Sequence, residues 1–174
     1  MGIQFETDYN METLTAMAKG LRKTVRKKRS RRVHIFAAVV LILGLLTILA
    51  TTAGGEPLGA SGVVTLLAML VVILVSLFED KLNAWFARKR LLPGTEHAVA
   101  TFEEDGYVSA TGVTESRFSY AQIVAVAETA RYFVFALSSH HTQAYDKRNI
   151  RGGSVEDFRA FIAEKTGKLV EKIK

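Results

Sequence analysis

Cysteine is absent from the 174-residue chain. That excludes disulfides, thiolate metal sites and a cysteine nucleophile, and it agrees with a reducing compartment. Charge is missing from a long internal stretch: between Arg32 and Glu79 the only Asp, Glu, Lys or Arg is Glu56. Two arms, residues 33–52 and 59–78, flank a turn at 53–58 (Ala-Gly-Gly-Glu-Pro-Leu). Each arm is 20 residues, which at about 1.5 Å per residue spans roughly 30 Å, the thickness of a bilayer core. Neither arm has the polar residue at every third or fourth place that an amphipathic helix of a soluble protein shows. The pattern predicts two transmembrane helices.

Other absences narrow the function. The arms lack the ionisable groups that ion pathways and proton relays use, which argues against a transporter or channel. Hydroxyls such as Thr47, Thr51, Thr65 and Ser76 can bond back to their own helices. No Gly-rich phosphate loop follows a strand, and no Ser/His/Asp constellation has a recognisable spacing. The four histidines are scattered at His34, His97, His140 and His141. The adjacent pair points to opposite faces of a strand, so it cannot share one metal, and a polar hairpin turn accounts for it. The sequence therefore predicts no catalytic residue, no metal, no cofactor and no enzyme.

The net charge of +6 is unevenly placed. Residues 1–32 hold nine Lys/Arg against Glu6, Asp8 and Glu12, and Lys81, Arg88, Lys89 and Arg90 follow the second arm beside Glu79 and Asp80. Residues 91–174 are one charge short of neutral, with ten basic and eleven acidic groups. This is juxtamembrane basicity rather than a nucleic-acid footprint. Cations flank both arms and are absent from the turn, so the positive-inside rule places both termini in the cytoplasm and the turn outside. The late apolar run, without a small-residue cleavage site, argues against a cleaved signal. The expected interface anchors are Arg26, Lys27, Lys28, Arg29, Arg31 and Arg32 before the hairpin, and Trp85, Arg88, Lys89 and Arg90 after it.

Before the hairpin, residues 2–9 alternate as a short strand. The Met-Gly start resembles a myristoylation signal, but Glu6 stands where that motif needs Ser or Thr. A helix from Asn10 to about Lys28 places Leu14, Met17, Leu21 and Val25 on one face, as if lying in the headgroup region with its cations toward lipid. After the hairpin a helix continues over residues 79–92, and Pro93-Gly94 breaks it. From Thr95 the period becomes two. Strands are expected at 97–103, 107–111, 114–120, 122–128, 132–137 and 142–146. Ser154 with Asp157 then opens a helix running to the C-terminus, with Val155, Phe158, Phe161, Ile162, Leu169, Val170 and Ile173 on its apolar face.

These elements describe a membrane α-helical hairpin plus an α+β domain over residues 95–174. The domain is expected to be a pleckstrin-homology-like antiparallel sheet of six or seven strands, closed by the C-terminal helix. Residues 1–32 form a leader whose strand can supply the seventh, and residues 79–94 form a juxtamembrane helix and linker.

Phe118-Ser119-Tyr120, Ile123, Val126, Glu128-Thr129 and Tyr132-Phe133 carry a resemblance, joined by Asp146-Lys147-Arg148, Glu156-Asp157-Phe158-Arg159 and the Phe102–Gly106 stretch. Together they resemble the YcxB-like proteins, small bacterial membrane proteins with two transmembrane helices and a C-terminal YcxB-like domain. The resemblance implies architecture and an inner-membrane location, and it carries over no activity.

One stretch has anion-binding logic. Lys147, Arg148 and Arg151 precede Ser154 at a helix N-terminus, whose free amides favour negative charge. A capping loop competes with that reading, because Glu156 and Asp157 already compensate the helix dipole. The expected function is a membrane-anchored, non-enzymatic interaction module at the cytoplasmic leaflet. Its expected partners are the lipid bilayer and another membrane or cytoplasmic protein, with homo-oligomers allowed and nucleic acid excluded. The alternative is a small accessory subunit of a transport or envelope-stress complex acting through its transmembrane helices, and an enzyme of unrecognised type stands third.

Overall fold

Ile3, Phe5 and Thr7 alternate with Gln4, Glu6 and Asp8, and the alternation becomes strand β1 (Ile3–Asp8) with the first set buried. The computed structural model describes residues 2–55 and 57–173. Glu56, which the sequence places in the external turn, lies outside the described residues. Helix α1 (Met11–Lys23) is capped by Asn10, whose side chain accepts hydrogen bonds from the Glu12 and Thr13 amides. It ends at Thr24, earlier than expected, and the chain re-enters a helix at Lys27. The basic run therefore forms the first turns of α2 (Lys27–Ala53), which pairs with α3 (Ala60–Leu77). Both are long and apolar enough to cross a membrane, and their apolar windows are unburied. A bend at Phe78 leads into α4 (Glu79–Lys89).

The remaining strands are β2 (His97–Phe102), β3 (Tyr107–Thr111), β4 (Glu115–Phe118), β5 (Ala125–Glu128), β6 (Tyr132–Ala136), β7 (Thr142–Asp146) and β8 (Ile150–Arg151), followed by α5 (Val155–Thr166) and β9 (Val170–Lys172). They form two sheets, five strands in the order β4-β3-β2-β1-β8 and four in the order β7-β6-β5-β9. β1 runs antiparallel to β2 from Ile3 opposite Phe102 to Asp8 opposite His97. The apolar hairpin is thus inserted between two neighbouring strands of one sheet.

This corrects the expectation of one sheet of six or seven strands. β8 and β9 hold two and three residues, too few for a period-two signal to register. The stretch expected as strand 122–128 starts as a 3-10 turn, because Ser119 and Gln122 form a capping box across residues 120–122. The last helix does not reach the C-terminus. Gly167 takes the left-handed conformation at φ 63° and caps α5. The chain then returns as β9, parallel to β5, with Val170 opposite Val126. Leu169 is 89% exposed, so it belongs to no helical apolar face.

The two sheets and α5 share one aromatic core. The Phe158 ring of α5 lies 4.6 Å from Phe5, 4.8 Å from Phe102 and 5.0 Å from Phe133. Tyr107 and Tyr145 reach the same core, and both phenols donate to the buried Gln143 Oε1, at 2.8 and 2.7 Å. Burial pushes both phenols well above their ordinary range, so they stay protonated hydrogen-bond donors at neutral pH.

Candidate functional site

The basic stretch before α5 is occupied by its own carboxylates. Lys147 Nζ donates to Glu128 Oε1 at 3.0 Å and to the Thr129 carbonyl at 2.7 Å. Arg148 Nη2 lies 3.2 Å from Asp146 Oδ2, and Arg151 Nη2 lies 3.1 Å from Glu6 Oε1. Ser154 accepts from the Asp157 amide, while Asp157 accepts from the Ser154 amide and hydroxyl, a closed capping box that holds the Asp157 carboxyl below its usual range. Each cation of the candidate anion site therefore already faces a negative partner, which favours the capping reading. The partners Glu6 and Glu128 lie far away in sequence, where spacing gives no hint of the pairing. The available signal was a carboxylate closing each of the buried strands β5 and β7.

Glu128 is the centre of that network. It is 5% exposed, and it accepts from Arg159 Nε at 2.7 Å and Nη2 at 2.8 Å as well as from Lys147. Asp146 plays the matching role on β7, taking Arg131 Nη2 at 2.7 Å and Nε at 2.9 Å. Arg131 also pairs with Glu12 of α1. These contacts tie β5, β7, α5 and α1 together. Among the described residues no three His, Asp or Glu side chains gather as a metal site.

The expected interface anchors surround a helical collar. Lys27, Lys28, Arg29, Arg31 and Arg32 are exposed on the first turns of α2. Arg88, Lys89 and Arg90 are exposed at the end of α4, where Lys89 Nζ lies 3.6 Å from the Trp85 ring centroid. Arg26 differs from the others, because its Nε donates to the Ser139 carbonyl of the β6–β7 turn at 2.6 Å.

α1 occupies the centre of the collar rather than lying in a headgroup layer. Its buried face, with Leu14, Ala16 and Leu21, packs on the four-stranded sheet and on α4. Thr13 Oγ1 bonds the Tyr132 hydroxyl at 3.2 Å. Arg22 holds Asp80 of α4 through two bonds, Nε at 2.7 Å and Nη2 at 2.6 Å, a fork-to-carboxylate geometry that fixes orientation as well as distance. Gly20 lets α1 approach β6 this closely, since a Cβ there meets Val134 Cγ1 at 2.7 Å. Gly20→Leu is expected to lift α1 off β6. Overpacking costs about 1–3 kcal/mol, partly offset by about 1 kcal/mol of gained helix propensity. The expected result is faster tryptic cleavage within residues 22–32 while the aromatic core stays folded; an unchanged cleavage rate refutes the tight α1–β6 joint.

Residues 102–162 match the family model of the YcxB-like proteins. No curated protein and no solved structure matches the chain. The matched segment runs from the end of β2 into α5 and includes Glu128, Lys147 and Arg159, so the Glu128 cluster lies within it. Residues 102–162 therefore match a YcxB-like domain, and the two helices ahead of it, long and apolar enough to cross a membrane, fit a membrane-helix-plus-YcxB description.

Proposed function

We propose that this chain is a membrane-anchored, non-enzymatic interaction module. In this reading α2 and α3 span the bacterial inner membrane with both termini in the cytoplasm. The sheet domain is presented at the cytoplasmic leaflet to a membrane or cytoplasmic protein. The observation that carries it is the insertion of the hairpin between β1 and β2. A domain hung on one flexible tether samples many orientations. This one is joined to its hairpin by two connections, each built on a helix, and α1 is clamped to both α4 and β6. Such a mounting holds one face of the domain at a set height and angle over the lipid, which suits recognition and has no use in a freely diffusing enzyme.

The order of elements supports a pleckstrin-homology-like description. β1 to β4 form a meander, β5 to β7 form a second one, and α5 closes the space between the sheets. The lateral faces of α2 and α3 beyond their mutual contact are uncovered, which favours the second reading, an accessory subunit acting through its helices.

Topology is checked by reporter fusions at residue 174 and at Gly54-Gly55, which are expected to report opposite sides of the membrane; a C-terminal reporter in the periplasm sinks the proposal. The role is tested by exchanging residues 33–78 for an unrelated two-span hairpin and purifying in mild detergent. Partners that remain with the sheet domain support the interaction module, whereas partners lost with the native hairpin support the accessory subunit.

A further inference from the structure

A cleft of about 480 Å³ lies between α1, the first turns of α2, α4 and the β6–β7 turn. Arg26, Arg29 and Val33 line it from α2 at spacings of three and four, so they share one face of that helix. Arg22 from α1, His140 from the β6–β7 turn and Glu79 from α4 complete its polar wall. The charges are not balanced. Arg22 is taken by Asp80 and Glu79, whereas among the described residues the Arg26 guanidinium has only the Ser139 carbonyl. Arg29 is exposed and has no carboxylate partner among the described residues.

A second feature has the same sign. α2 starts at this cleft with no side-chain cap and no acidic residue in its first turn. Apart from the Lys27 amide, which bonds the Thr24 carbonyl, its first-turn amides add the positive end of a 27-residue helix to the two arginines. Leu14, Leu21 and Val33 line the same cleft, and Val33 is the first residue of the uncharged run. The cleft thus mixes cationic and apolar side chains, and Val33 carries its apolar lining into the hydrophobic surface of α2.

We propose that this cleft holds the phosphodiester of an anionic phospholipid from the cytoplasmic leaflet. The proposal rests on the membrane orientation argued under Proposed function. Arg26 and Arg29 supply guanidinium forks to the phosphate oxygens, and the acyl chains lie along α2 beyond Val33. A zwitterionic headgroup brings an ammonium group against Arg29 and the helix N-terminus, so an anionic headgroup is preferred. A free phosphate matches the arginines and makes no use of the apolar lining. The lipid thereby becomes part of the collar that sets the height of the YcxB-like domain.

The test uses full-length protein in mild detergent, with lipid retention read by native mass spectrometry. The probes are phosphatidylglycerol, phosphatidylcholine and inorganic phosphate. The parent is expected to retain one phosphatidylglycerol per chain in preference to phosphatidylcholine. Arg26→Gln with Arg29→Gln is expected to reduce retention about tenfold, as for loss of two charge-assisted phosphate contacts. Arg31→Gln with Arg32→Gln removes the same charge from exposed positions outside the cleft, and its effect is expected to stay within about twofold. Arg29→Gln alone is expected to reduce retention about threefold, and it leaves the Arg26–Ser139 bond in place, so its loss of lipid does not come from a loosened collar. Equal loss in both double variants, equal retention in all, or equal binding of phosphatidylcholine overturns the lipid site. Displacement of the lipid by millimolar inorganic phosphate reassigns the cleft to a soluble phosphate. If the C-terminal reporter lies in the periplasm while the cleft pair still controls retention, the orientation fails and the lipid site stands on its own.

Discussion

Phe5→Asp is expected to unfold the sheet domain, although residue 5 lies far outside the matched segment and before both apolar helices. Phe5 is fully buried and its ring touches those of Phe102, Tyr145 and Phe158 at 5.8, 5.7 and 4.6 Å. Truncating such a ring costs about 3–5 kcal/mol. An unpaired carboxylate in the same place adds a desolvation penalty of several kcal/mol, and the sum is comparable with the whole stability of a small domain, about 5–15 kcal/mol. Limited proteolysis of full-length protein in detergent is the direct measurement: residues 95–173 are expected to become protease-sensitive. Gln4→Asp, on the opposite face of β1, is the control and is expected to leave the digestion pattern unchanged. Resistance of the Phe5→Asp variant equal to the parent would show that β1 is a dispensable arm. The same geometry predicts that a fragment beginning at residue 91 does not fold, since it lacks the strand between β2 and β8.

Glu128→Gln is the second large effect, and it carries a pH signature. Hydrogen bonds from Arg159, then from Lys147, hold the Glu128 carboxyl down at about 2, against an ordinary value of 4.5. A depressed carboxylate contributes stability that is complete above its ordinary value and is lost as pH falls from about 4.5 toward about 2. Replacing it by the isosteric amide leaves Arg159 and Lys147 without their charge partner. Breaking a buried ion pair costs about 3–5 kcal/mol, and the partial exposure of Arg159 places the expected loss near 3 kcal/mol. Denaturant unfolding at pH 7 reads that loss. Repeating it from pH 5 to pH 2.5 separates charge from packing, because the parent is expected to converge on the variant as Glu128 becomes protonated. A variant that keeps a constant deficit across that range assigns the loss to packing. Lys147 belongs to the same cluster and is only partly exposed, so it is a structural cation rather than a free one.

What the amino-acid order determined by itself was whatever depends on neighbours in the chain. Two uncharged runs of 20 residues specify apolar helices, because backbone polar groups and side chains must both suit the same solvent over that whole length. The alternation at Ile3, Phe5 and Thr7 specifies a strand with a buried face, and Asn10 and Ser154 specify helix starts through bonds to amides two and three residues on. Loose family motifs between Phe102 and Phe158 were enough to place the YcxB-like domain. Tertiary structure decided whatever depends on partners far apart. The pairing of β1 with β2 joins strands on either side of the hairpin, and no local periodicity encodes which strand a leader will choose. β8 and β9 are too short to be strands except by pairing with β1 and β5. The basic stretch at Lys147 to Arg151 meets Glu6 and Glu128 only in the fold, since neither is near it in sequence, and these two with the neighbouring Asp146 pair its cations. Arg26 and Arg29 moved the other way. In the chain they are two cations among many, and only the packing of α1 against α4 and β6 places them on the wall of a cleft without a carboxylate of their own.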